Sequence, residues 1–218
     1  MLKYISAIVL SATCALLAQT TVTPKQFAME PQIAFDWTVK VISPILADYA
    51  NNPREITAVR HRILKLSQLI NAKTIDYRAL PAYNPGNSTM LAHLDYDTVQ
   101  KRPVLMLFVP AMQVDQKKHS GKDFRDNVAL VFAHEMIHHE QVFETHEFHL
   151  RVNEPWGLDG AREEAAAFGK TIIQIVRPWA QQGRVPDPTL LKISEQLASL
   201  NDNYADPRWV MAFINYVR

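Results

Sequence analysis

An apolar run over residues 128–133 leads without a break into His134-Glu135-Met136-Ile137-His138, and this junction constrains the chain more than any other stretch. Apolar density of that kind predicts a buried helix, and burying imidazoles and a carboxylate is costly unless a metal ion and hydrogen bonds offset the lost hydration. His134 and His138 are four apart, so on a helix both rings leave one face at adjoining turns and can converge on a single ion. Glu135 lies beside that face, where a carboxylate can take a proton from water without itself being a ligand. The spacing therefore predicts two metal ligands and a general base.

A catalytic zinc site needs a third ligand and one open position. Twenty-one residues after His138 a second helix is expected over 159–173, capped by Asp159 and carrying Glu163-Glu164. If Glu163 faces the ion, Ala166 and Ala167 lie one turn along and allow close helix approach; if Glu164 does, Ala167 and Phe168 take those places. Glu163 is the preferred third ligand, with Glu164 as the alternative and His146 or His149 as a further one. The remaining carboxylate is expected to hydrogen-bond a ligand histidine or to face solvent. His139 stands one residue off the ligand face and is expected to serve local packing or to lie at the surface.

Composition narrows the chemistry. The chain of 218 residues carries 23 Lys+Arg against 22 Asp+Glu, a formal charge of +1, which leaves no electrostatic footprint for nucleic acid. Its single cysteine, Cys14, can form neither an internal disulfide nor a thiolate metal site, so a metal here is held by nitrogen and oxygen. Met1-Leu2-Lys3 and the uncharged, apolar stretch over 4–18 have the form of a secretory signal ending at Ala18. The organisation expected is a signal peptide over 1–18 and one domain over 19–218, secreted or periplasmic, with no stable membrane span after signal removal. A cytoplasmic chain, or one tethered by its N-terminus, is the alternative. The sequence is silent on oligomeric state.

Elsewhere, helical segments are expected over 33–49, with an interruption before Pro44, and over 54–69, where Ile56, Val59, Ile63, Leu66 and Leu69 make one apolar face. Residues 76–100 read as turn-rich, 104–109 as a strand bounded by Pro103 and Pro110, and 115–126 as a polar loop. Arg177-Pro178 is expected to break the second ligand helix. Leu190, Ile193, Leu197 and Leu200 mark a further amphipathic helix, and the apolar tail 209–217 should dock on the body. The architecture is α+β, mostly helical with a small sheet.

His134-Glu135-Met136-Ile137-His138 followed by Glu163-Glu164 resembles the zincin metallopeptidases, specifically the gluzincin branch, in which a Glu on a later helix completes the site. The resemblance covers residues 127–173 and implies Zn2+ as cofactor, a peptide or protein as substrate, Glu135 as the water-activating base, and the strand over 104–109 as a substrate-binding strand above the cleft. Two features depart from relatives of this kind. The Asp that many gluzincins place four positions after the ligand Glu is here Ala167 or Phe168, and the longer metzincin motif is absent, because Gln141 and Glu144 stand at its Gly and third-His positions. Peptide hydrolysis also needs a donor for the developing oxyanion, for which His146, His149, Tyr204 and Tyr216 are the candidates. The competing reading is a non-catalytic helical binding or interaction protein with a structural or vestigial metal site.

Overall fold

The computed structural model describes residues 29–119, 121–150, 158–184, 188–200 and 206–217, with only the backbone described for Leu158, Ile214, Tyr216 and Val217. The leader expected over 1–18 lies outside this set. The fold is α+β, a helical body carrying a three-stranded sheet. No helix among the described residues is long and apolar enough to cross a membrane.

The first helical segment runs as α1 (Pro31–Trp37), a π-helical turn (Thr38–Ile42) and α2 (Ser43–Asn51). The interruption expected before Pro44 is thus a widening of the helix, in which Ser43 N–H reaches the Thr38 carbonyl. Proline has no N–H and its ring crowds the preceding turn, and a wider turn lets the helix pass through. The same device corrects the break expected at Pro178. The second ligand helix continues through a π turn (Ile172–Val176) into α7 (Arg177–Gln181), with Arg177 N–H bonded to the Ile172 carbonyl.

Helix α3 (Thr57–Asn71) buries Val59, Ile63 and Leu66 as their spacing predicts. The turn-rich expectation for 76–100 is corrected by two strands, β1 (Asp76–Leu80) and β2 (Ala92–Asp97), which flank β3 (Arg102–Phe108). β1 runs parallel to β3 in the register Asp76↔Val104 to Leu80↔Phe108, and β2 antiparallel in the register Ala92↔Leu107 to Asp97↔Arg102. Both outer strands alternate charged with apolar residues, and Arg78 bridges Asp76 and Asp97 across the sheet. The apolar strand β3 is central, with both edges already paired, so it cannot serve as the open substrate-binding strand; the edge beside the ligand helix belongs to β2.

Val109 leaves the sheet because Pro110 starts a helix, α4 (Val109–Lys118), and the first ligand helix, α5 (Gly121–His139), begins six residues before Asn127. The polar stretch 115–126 is therefore largely helical, a charged entry to a helix whose later turns are buried. A π turn (Glu140–Glu144) ends α5. The second histidine-facing helix is α6 (Leu158–Thr171); α9 (Pro207–Val217) packs on it, with Trp209 and Phe213 buried and Phe168 of α6 edge-on to Phe213 at 5.9 Å, while α8 (Pro188–Gln196) packs on the π turn that continues α6.

A buried ionic cluster fixes how these helices meet. Arg184, just after α7, donates to both Glu55 oxygens at 2.8 and 2.9 Å and to Asp126 of α5 at 2.7 Å. Trp179 Nε1 donates to Glu55 at 2.7 Å, Tyr49 of α2 donates to Asp126, and the Arg184 guanidinium stacks 4.1 Å from the Trp179 ring centre. Two carboxylates from distant parts of the chain are thus held by one guanidinium, which ties the entry of α5 to the exit of the α6–α7 rod.

Candidate metal centre

Helices α5 and α6 pack with His134 and His138 of one against Glu164 of the other. His134 Nε2 lies 3.3 Å from His138 Nε2 and 3.3 Å from Glu164 Oε1, while His138 Nε2 lies 3.2 Å from Glu164 Oε2. The two rings are nearly perpendicular, at 89° with centres 4.9 Å apart. One ligand atom from each of the three residues falls within 4.8 Å of the others. His134 and Glu164 are 1% and 4% exposed, so water does not screen them.

These separations suit a metal. A tetrahedral zinc with arms of about 2.0–2.1 Å sets neighbouring donors about 3.3–3.4 Å apart, and the nitrogen–nitrogen and nitrogen–oxygen separations here are 3.2–3.3 Å, with Glu164 turning one oxygen to each histidine. Of the two acidic candidates it is Glu164, the alternative, that joins the histidines. Glu163, the preferred one, sits against the other nitrogen of His138, Oε1 to Nδ1 at 3.4 Å. The reason is helical phase: Glu164, Ala167 and Thr171 form the stripe of α6 that meets His134, and Glu163 is turned about 100° from it.

The outer contacts orient the rings. His134 Nδ1 is 2.9 Å from Thr171 Oγ1, and His138 Nδ1 faces a carboxylate that can only accept while ionised, so both Nε2 atoms point inward. With both histidines neutral, two lone pairs and a carboxylate would face one another at 3.2–3.3 Å, which calls for a positive charge at the centre. The titration behaviour follows. Burial, the largest single influence, pushes His138 down, yet Glu164, Glu163 and Glu135 together hold it well above the ordinary histidine range. Burial likewise pushes Glu164 up, and His138 and His134 overcome it to keep that carboxyl far below the usual range.

Glu135 is 6% exposed and points to the sheet rather than to the ligand triad, its Oε2 accepting the backbone N–H of Leu94 at 2.8 Å. Leu94 belongs to β2, the edge strand, so the carboxylate is fixed at one oxygen by an outward-facing sheet amide. Tyr96, two residues along β2, stacks on Phe143 of the π turn at 6.3 Å, and Phe143 also lies against the His139 ring at 5.2 Å.

Among the described residues, the other candidates fall outside the cluster. His139 is buried and bonds Glu144 at 2.8 Å, a packing contact as expected. His146 and His149 are exposed; His146 has φ 53° and its Nδ1 bonds the Val142 carbonyl at 3.2 Å. Tyr204 lies outside the described residues, as does the Tyr216 side chain. Sequence reasoning missed Leu94 and Thr171. The first acts through its backbone and leaves no trace in residue type, whereas Thr171, seven residues after Glu164, was open to the same helical-face argument that relates His134 to His138. No protein-family model matches the chain, and no curated protein or solved structure is detectably similar to it.

Proposed function

We propose that the protein is a zinc-dependent peptidase of gluzincin-like design, with His134, His138 and Glu164 holding the metal and Glu135 as general base. The observation that carries this reading is the convergence of His134, His138 and Glu164, one ligand atom of each lying within 4.8 Å of the others, with a carboxylate next to the first of them held at a sheet edge. A zinc ion bound there would act as a Lewis acid toward a carbonyl and toward water. Glu135, oriented by Leu94 N–H, takes a proton from the attacking water and returns it to the leaving amine. An extended peptide would meet the edge of β2 at its carbonyls, since Glu135 and Asp95 hold the Leu94 and Tyr96 amides, and Tyr96 with Phe143 offers an apolar wall for its side chains.

The depth of His134 and Glu164 favours a second reading, a helical binding protein in which the metal is structural. One experiment separates the two: zinc content and hydrolysis of a broad peptide library, measured on the intact protein and on Glu135→Gln. Zinc retained with hydrolysis abolished in the variant supports the peptidase; equal hydrolysis in both, or none in either, refutes it.

A further inference from the structure

The geometry points to Thr171 as the residue that fixes the tautomer of His134, and so presents Nε2 to the metal, in the place where a carboxylate would be expected. The inference deepens the metal reading above and rests on it. A threonine hydroxyl has one hydrogen. Here Thr171 Oγ1 donates it to the Ala167 carbonyl, 2.8 Å away on the preceding turn. At 2.9 Å from His134 Nδ1 the same oxygen has only lone pairs to offer, so Nδ1 carries the ring hydrogen and Nε2 carries the lone pair. The back-bond to Ala167 also fixes the threonine rotamer, and both residues are buried, so water cannot exchange with either partner.

A neutral acceptor suits this site for an electrostatic reason. Glu163 and Glu164 already face the two histidines and Glu135 lies beside them, and another buried carboxylate would add a fourth negative charge to one cation. Phe168, four positions after Glu164, is fully packed and offers no hydrogen-bond acceptor from its side chain, so the task falls to the next turn of the same stripe.

The test compares wild type, Thr171→Ser and Thr171→Val. Long-range proton–nitrogen NMR on the chelator-treated protein at alkaline pH reads which ring nitrogen of His134 is protonated, and competition with a chromophoric chelator reads zinc affinity. Expected are an Nδ1–H tautomer in wild type and T171S, its loss or mixing in T171V, and zinc affinity about 10- to 100-fold weaker in T171V but restored by T171S. An Nε2–H tautomer in wild type overturns the inference even if T171V does not fold, as does a folded T171V with unchanged tautomer and affinity. Nδ1–H in a wild type that binds no zinc supports the hydrogen-bond assignment and refutes the metal reading, so the two failures are distinct.

Discussion

Replacing Arg184 with methionine should cost the fold about 3–5 kcal/mol, because it strands two buried carboxylates. The Glu55 and Asp126 side chains are only 2% and 7% exposed, and Arg184 supplies three of their short bonds, at 2.7, 2.8 and 2.9 Å. Methionine keeps much of the contact with Trp179 but offers no donor. For a chain of this size the loss lowers the melting temperature by about 6–20 °C. Urea unfolding followed by circular dichroism at neutral pH measures it directly. Two controls isolate the cause. Acid that neutralises the stranded carboxylates should narrow the gap to wild type. Adding Glu55→Gln and Asp126→Asn to the variant should recover part of the loss, since charge rather than volume is the fault. A loss under about 1 kcal/mol, or no recovery in the triple variant, would refute the uncompensated-charge argument.

Three results should follow from the site itself. Glu164→Gln removes a proposed ligand and should abolish stoichiometric zinc binding, whereas Glu163→Gln should weaken it by about 10- to 100-fold, both read by chelator competition; the reverse order would restore Glu163 as the ligand. Because His138 stays protonated well above the ordinary histidine range, zinc binding at neutral pH should expel about one proton and tighten about tenfold per pH unit until the raised value is passed. Calorimetry in buffers of different ionisation enthalpy tests this, and a binding heat independent of buffer would contradict it. In the chelated protein the depressed Glu164 carboxyl contributes stability that is present above its unfolded range and lost as pH falls through its lowered value, so acid unfolding should begin at higher pH in Glu164→Gln than in wild type.

The helical body and the facing pair of histidines were legible in the sequence because both depend on periodicity: apolar residues at three and four, histidines at four. β1 and β2 were not, because Pro81, Pro85, Gly86 and Asn87 advertise turns while the strands on either side of them are short and half-charged, held by pairing with β3 rather than by their own composition. The choice between Glu163 and Glu164 hung on one residue of helical phase, which spacing from His138 across an intervening loop cannot carry. Arg184 was equally silent, a lone cation after a turn whose partners lie 58 and 129 positions away.

Of the three π turns among the described residues, two precede a proline and are explained by it, but the third, Glu140–Glu144, has none; Thr145 N–H simply reaches the Glu140 carbonyl at 2.8 Å. In a regular α-helix Glu140, Phe143 and Glu144 would share one face. Here Glu140 and Glu144 both engage α3, through Arg62 and Lys65, while Phe143 turns to Tyr96 of β2. The widened turn therefore braces the end of the first ligand helix against α3 and against the strand that holds Glu135. If the proposed function holds, Phe143→Ala should leave zinc affinity within about threefold, since its ring meets Tyr96 and His139, yet lower peptide hydrolysis about tenfold or more by loosening β2 relative to Glu135. Unchanged hydrolysis would show that the stacking serves packing alone, and a parallel loss of zinc would show that the turn supports the ligands rather than the base.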